Sequence, residues 1–402
     1  MGKIPLWVLP LIIALLLLPV RSVETSPDAS WYLANALRIT IGDGYDVLIR
    51  GPAFPLMLAG GFRVFGVSVW SGMLIVRLFF VLNVLIVYAL GTRLFGRVVG
   101  LGASLLTLSS FAFANASSFL LLDGVFPFFV LLGIYLTVIS LDEEAWAWPI
   151  LAGLSFAIGF LTKEVALLYL IGLPPMLVLV VKKYRTRRCV LRAVLILLVG
   201  LVAIAPWAAH VWRSTGSLGL LLGRGSVKAI DTLLGSAGVG SSSLFARAGD
   251  WLLAVPNYFV NEIVPAFSIW PLVALAWFVG AVLAIRVDRY RTLVLSGLLF
   301  LPLVLYLGSK DLRLGQGVLF FLITYILVSA VLRETITFLF ARTKLKTRWS
   351  TLISLMLVLA LAGAQCGVGN NSSATVWKES SLVIRYLLGL PTDWQTSGWH
   401  SK

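Results

Sequence analysis

The stretch WSGMLIVRLFFVLNVLIVYALGTRLFGRVVGLGASLLTLSSFAFANA, Trp70 to Ala116, decides the fold class. Two apolar runs, 70–91 and 98–116, flank a short turn that carries Arg93 and Arg97. Each run has the length that about 30 Å of hydrocarbon demands of a helix, roughly 17–25 residues. A lipid-immersed segment must satisfy its own backbone hydrogen bonds, so both runs read as transmembrane helices. Working outward with the same criterion gives about eleven spans. The others are 4–20, 121–140, 147–163, 165–181, 190–207, 264–285, 292–307, 315–332 and 350–366. Only LTKE, Leu161 to Glu164, separates the fifth from the sixth. The first run ends in Arg21, Ser22 and Val23 with no small-x-small cleavage pattern, so it is read as an anchor.

Composition agrees with lipid as the main solvent. Of 402 residues 59% are hydrophobic and 12% charged, where a soluble domain carries about 25% charge. A disordered chain, a coiled coil and an ordinary cytosolic enzyme are excluded. The net charge of +15 is then a question of which membrane face holds the positives, not a sign of nucleic acid. Lys182, Lys183, Arg185, Arg187 and Arg188 share one short connection, Arg286, Arg289 and Arg291 a second, and Arg342, Lys344, Lys346 and Arg348 a third. Alternating the spans puts these on one face with Lys3, Arg93 and Arg97. That face is expected to be cytoplasmic, with the N-terminus inside and the C-terminus outside. Cys189 and Cys366 then lie at opposite faces and cannot pair.

The expected fold is an all-α polytopic membrane domain over 1–366, with a short extracytoplasmic tail, 367–402. Its long outer loops are 22–69 and 208–263. In the first, Ser26-Pro27-Asp28 has the chemistry of a helix start, and Trp31, Tyr32, Leu33, Ala36 and Leu37 make an amphipathic juxtamembrane helix.

Candidate functional residues collect on the outer face. Asp28 is either a carboxylate favouring its helix dipole or a reactive acid. Arg50 stands where the chain re-enters apolar sequence, either snorkelling to lipid phosphates or serving a site. Asp123, in LLLDG, is a helix cap or an acid at membrane depth. Lys163 either neutralises Glu164 or offers an ammonium to an anion. His210 and Arg213 follow APW, and Lys310, Asp311 and Arg313 end the ninth span. The two histidines of the chain, His210 and His400, rule out a multi-histidine metal site.

From Asp28 to Arg213 the chain resembles the GT-C superfamily of polytopic glycosyltransferases. It is most similar to the dolichyl-phosphate-mannose protein mannosyltransferases and the bacterial aminoarabinose transferases. The elements that carry the resemblance are Asp28, RGPAFPLMLAGGFRVFG, TRLFGR, LLLDG, GLSFAIGFLTKE and APW, in that order, with KDLR at Lys310 to Arg313. Arg50-Gly51-Pro52 replaces a Lys-Pro-Pro type element, and Leu314 stands where the family has tyrosine.

The resemblance implies transfer of a sugar from a polyprenyl- or dolichyl-phosphate donor to a protein, lipid or glycan acceptor on the extracytoplasmic face. It makes Asp28 the base and Asp123 an acid that positions the acceptor or a metal. Arg50, Lys163, Arg213, Lys310 and Arg313 become donor-phosphate ligands. Some relatives use a divalent metal, and metal dependence is left open. The alternative reading is a transporter or flippase for a lipid-linked or anionic solute. That reading calls for paired pseudo-symmetric halves and mid-membrane charges, and the sequence displays neither.

Overall fold

The computed structural model describes residues 7–16, 27–45, 50–216, 218, 318–341 and 351–360. Among them there are helices and turns and no strand. In chain order the helices are α1 (Val8–Leu16), α2 (Pro27–Ile41), α3 (Ala53–Phe65), α4 (Val69–Phe95), α5 (Arg97–Ser109) and α6 (Phe111–Ser118). They continue with α7 (Phe126–Asp142), α8 (Ala147–Thr162), α9 (Ala166–Val180), α10 (Arg187–Thr215), α11 (Val318–Ala341) and α12 (Thr351–Ala360). Three described segments are long and apolar enough to cross a membrane: α4, α10, and α7 joined to the 3-10 turn before it, Leu122–Asp142. The expected spans 264–285 and 292–307 lie outside the described residues.

The LTKE boundary is real, since α8 stops at Thr162 and α9 starts at Ala166. The expected span 98–116 is instead two helices. Ser110 between them is extended and accepts a hydrogen bond from the Phe113 N–H at 3.3 Å, the usual competition of a serine hydroxyl with helical pairing. The amphipathic helix forms as α2, but its apolar face covers protein. Ala29, Tyr32 and Ala36 are buried against a cluster that includes Phe54 and Leu58 of α3.

Small residues allow the spans to approach. A Cβ on Gly100 of α5 would sit 2.1 Å from Thr92 Oγ1 and 2.5 Å from the Tyr88 carbonyl of α4. Gly96, at φ 97°, turns the chain between the two helices. Ser155 of α8 donates to the Phe129 carbonyl of α7 at 2.8 Å. Phe156 packs into the space above Gly133, where a Cβ would lie 2.7 Å from its ring.

One end of the bundle is a charge network. Arg93 pairs with Asp142 at 3.3 Å and with Glu143 at 3.5 Å. Lys183 Nζ and the Tyr184 hydroxyl each donate to Asp142 at 2.9 Å, and Arg188 pairs with Glu144 at 2.6 Å. The buried Arg192 donates to the carbonyls of Ser140, Glu143 and Glu144, and Arg333 of α11 donates to the Phe95 carbonyl. The C-terminal ends of α4, α7 and α9 thus meet the N-terminal ends of α8 and α10. This is the alternation expected of successive spans.

Candidate active site

The opposite end carries the candidate residues. Asp28 lies in the first turn of α2, and Tyr32, four residues on, shares its face. Arg50, just before α3, reaches back to both. Its Nη2 donates to Asp28 Oδ1 at 3.2 Å and its Nη1 to the Tyr32 hydroxyl at 2.5 Å. The guanidinium carbon also stands 5.4 Å from the Trp31 ring centroid and 5.3 Å from that of Tyr32. The free-snorkelling reading of Arg50 is therefore replaced by a held one. Burial disfavours its charge, but Tyr32 and Asp28 together outweigh that and raise its pKa.

A second pair lies on the neighbouring elements. Lys163, at the end of α8, donates to Asp123 Oδ1 at 2.7 Å, and both side chains are largely buried. Its carboxylate partner is therefore Asp123 across the bundle, where the bland sequence reading had set the adjacent Glu164. Asp123 rides on the 3-10 turn Leu122–Gly124 ahead of α7. Asn83, buried in α4, holds that turn by donating to the Gly124 carbonyl at 2.7 Å and to Phe79 O at 2.8 Å.

Close backbone contact brings the two pairs together. A Cβ on Gly51 would lie 2.1 Å from the Leu161 carbonyl, so α3 begins against the last turn of α8, two residues before Lys163. Only glycine permits that approach. Tyr32 senses both pairs. Burial pushes its hydroxyl above the usual tyrosine range, Arg50 opposes this, and the Asp123 and Asp28 carboxylates add to it. The Tyr45 hydroxyl fastens the start of α3 by donating to the Arg50 carbonyl at 2.9 Å, and burial raises its pKa too. The Tyr45 ring meets Trp207 of α10 at 5.7 Å between centroids, and Trp207 meets His210 at 5.3 Å.

Asp28, Arg50, Asp123 and Lys163 are thus gathered at one end. Arg213 is exposed one turn past His210 in the last turn of α10, and no contact ties it to either pair. Lys310, Asp311 and Arg313 lie outside the described residues. Tyr45, Trp207 and Asn83 join the site from positions to which the sequence alone points no role. Tyr32, on the amphipathic face of α2, is marked only by its i+4 spacing from Asp28. Among the described residues no three His, Cys, Asp or Glu side chains come together as a metal site would require.

The comparisons agree with the resemblance read from the motifs: part of the sequence matches a mannosyltransferase family model, and the fold is similar to that of solved membrane glycosyl- and oligosaccharyltransferases. Residues 50–212 match the family model for dolichyl-phosphate-mannose-protein mannosyltransferase. Among solved structures the chain is similar to ArnT from Cupriavidus metallidurans bound to undecaprenyl phosphate. The TM-score is 0.61 at 16% identity, over 92% of this chain and 73% of that one. It is also similar to the archaeal oligosaccharyltransferase AglB from Archaeoglobus fulgidus, in complex with an inhibitory peptide and a dolichol-phosphate. There the TM-score is 0.59 at 13% identity, over 92% of this chain and 55% of that one. The apo form of the Archaeoglobus fulgidus oligosaccharyltransferase gives 0.62 at 15%, over 90% and 55%. The chain therefore spans little more than half the length of the oligosaccharyltransferase. No curated protein matches the chain significantly.

Proposed function

We propose that this protein transfers a sugar from a polyprenyl- or dolichyl-phosphate donor to a hydroxyl of a protein, lipid or glycan acceptor at the end of the bundle that holds Asp28 and Asp123. The observation that carries the reading is two carboxylate–cation pairs, Asp28–Arg50 and Asp123–Lys163, brought to one end of the bundle by the close approach of Gly51 to Leu161. A phosphate needs cations, and a nucleophile needs a base. Both are present, each occupied by the other.

The chemistry follows from exchanging these partners. A donor phosphate that takes the planar fork of Arg50 replaces Asp28 as its anion. Asp28 is then free to accept the acceptor's proton as the nucleophile attacks the anomeric carbon. The new glycosidic bond forms while the sugar–phosphate bond breaks, and the lipid phosphate leaves with its electron pair, stabilised by Arg50. A single displacement inverts the anomeric centre. Asp123, steadied by Lys163 and Asn83, positions the acceptor. Arg213, Lys310 and Arg313 are further proposed phosphate ligands. The basic network at the other end supports a cytoplasmic location for that end and an extracytoplasmic active site in the cell membrane.

The test is transfer from a radiolabelled sugar-phospholipid in membranes containing the full chain. Asp28→Asn is expected to lower the rate by about 100- to 10,000-fold, the usual worth of a positioned base, with unchanged protein level. Undiminished transfer by Asp28→Asn sinks the assignment.

A further inference from the structure

Arg77 lies on α4, the ninth residue from its start at Val69. Helical side chains lean toward the N-terminus, and the guanidinium carbon of Arg77 reaches back to 5.2 Å from the Trp70 ring centroid. The charge is thereby carried toward the end where Asp28 lies. Its Nε and Nη2 are both buried and have no hydrogen-bond partner among the described residues. These two atoms form one edge of the guanidinium, whose parallel N–H bonds match two oxygens of a phosphate. In contrast, Arg50, Arg93, Arg188, Arg192 and Arg333 each reach an acceptor within the protein.

An ionised side chain with an unfilled donor edge inside a span is costly, so it calls for a partner. The flank it occupies is apolar and exposed, as a surface against lipid would be. Trp70, Leu74 and Leu78 are exposed there, and Phe65 and Val67 are exposed at the turn between α3 and α4. With 3.6 residues per turn, Arg77 lies about 120° round α4 from Asn83, the residue that holds the Asp123 turn. The site is thus separate from the two carboxylate pairs and does not depend on the glycosyl-transfer reading.

We propose that Arg77, walled by Trp70, binds the phosphate of a membrane lipid in the leaflet at the Asp28 end of the bundle. Two lipids carry that chemistry: a bulk phospholipid and a polyprenyl phosphate. Trp70 is the amphipathic ring expected at the level of the headgroups, its ring lies beside the guanidinium, and a phosphate reaches the buried edge by displacing the side chains over it.

The experiment uses the full chain purified in maltoside detergent. Phosphatidylglycerol or a polyprenyl monophosphate is added, and thermal unfolding and lipid retention by native mass spectrometry are read. The unsubstituted chain is compared with Arg77→Met, which keeps length and apolar contact, and with Arg77→Lys, which keeps the charge without the fork. Affinity is expected to fall by roughly tenfold or more in Arg77→Met, as for loss of a charge-assisted bidentate pair, and the lipid-induced rise in Tm to shrink with it. Arg77→Lys should fall between the two and serves alone if Arg77→Met does not fold. A loss confined to phosphatidylglycerol identifies a phospholipid site, and one confined to polyprenyl phosphate identifies an isoprenoid-lipid site. Equal binding by all three chains, or none by the unsubstituted chain, overturns the proposal.

Discussion

Arg50 touches a carboxylate, a phenol hydroxyl and two aromatic faces at once, a combination that only a flat, forked cation can satisfy. Arg50→Lys keeps the charge but cannot bridge Asp28 and Tyr32. It also lacks the second of the two parallel N–H bonds by which the fork takes the donor phosphate, worth about 1.5–3 kcal/mol, so kcat/KM for a lipid-phosphate sugar is expected to drop roughly 10- to 100-fold. Tyr32→Phe removes the hydroxyl that orients the Arg50 guanidinium and is expected to sit near the lower limit of that range, measured by initial rates. The same variant gives a pH test. Burial raises the pKa of the Tyr32 hydroxyl, so its proton stays on below and through the usual tyrosine range. The alkaline limb of the pH–rate profile should therefore coincide in Tyr32→Phe and the parent chain; displacement of that limb would show that Tyr32 ionises. The acids and Arg50 stood out in the sequence because charge is scarce in so apolar a chain. Tyr32 did not, because a tyrosine on an amphipathic face has an ordinary packing role.

At the scale of elements, the helices owe their placement to a few small or polar residues at crossings. Gly100→Ala puts a methyl 2.1 Å from Thr92 Oγ1 and 2.5 Å from the Tyr88 carbonyl, forcing α4 and α5 apart. Overpacking of this kind costs about 1–3 kcal/mol, and a lowered Tm of the detergent-solubilised protein checks it. Asn83→Leu acts differently. It removes the bond to Gly124 O and so loosens the turn that presents Asp123, while leaving α4 apolar and helical. Transfer activity should fall more than stability, since a polar link within a membrane protein averages only about 0.6 kcal/mol. The break at Ser110 was not legible in the hydropathy, because a serine is tolerated in a span. Its capping role depends on the backbone φ and ψ that the packed structure imposes.

At the scale of the whole molecule, the ion pairs among the described residues are segregated. One end carries Arg93, Lys183, Arg188 and Arg192 against Asp142, Glu143 and Glu144, and the other holds the Asp28–Arg50 and Asp123–Lys163 pairs. With Cys189 and Cys366 replaced by alanine, Asp43→Cys and Arg187→Cys should react with an impermeant maleimide from opposite sides of sealed vesicles. Reaction from one side refutes the topology. Hydropathy and charge alone reveal the lipid solvent, most of the long apolar spans and the clustering of positives in alternate turns, because lipid imposes length and apolarity locally along the chain. It takes the packed fold to join Asp28 and Tyr32 to Arg50, and Lys163 to Asp123 instead of Glu164. Coulomb and hydrogen-bond energies change steeply over an ångström, and separations that fine are set by how α3 meets α8 and α4 meets the Asp123 turn.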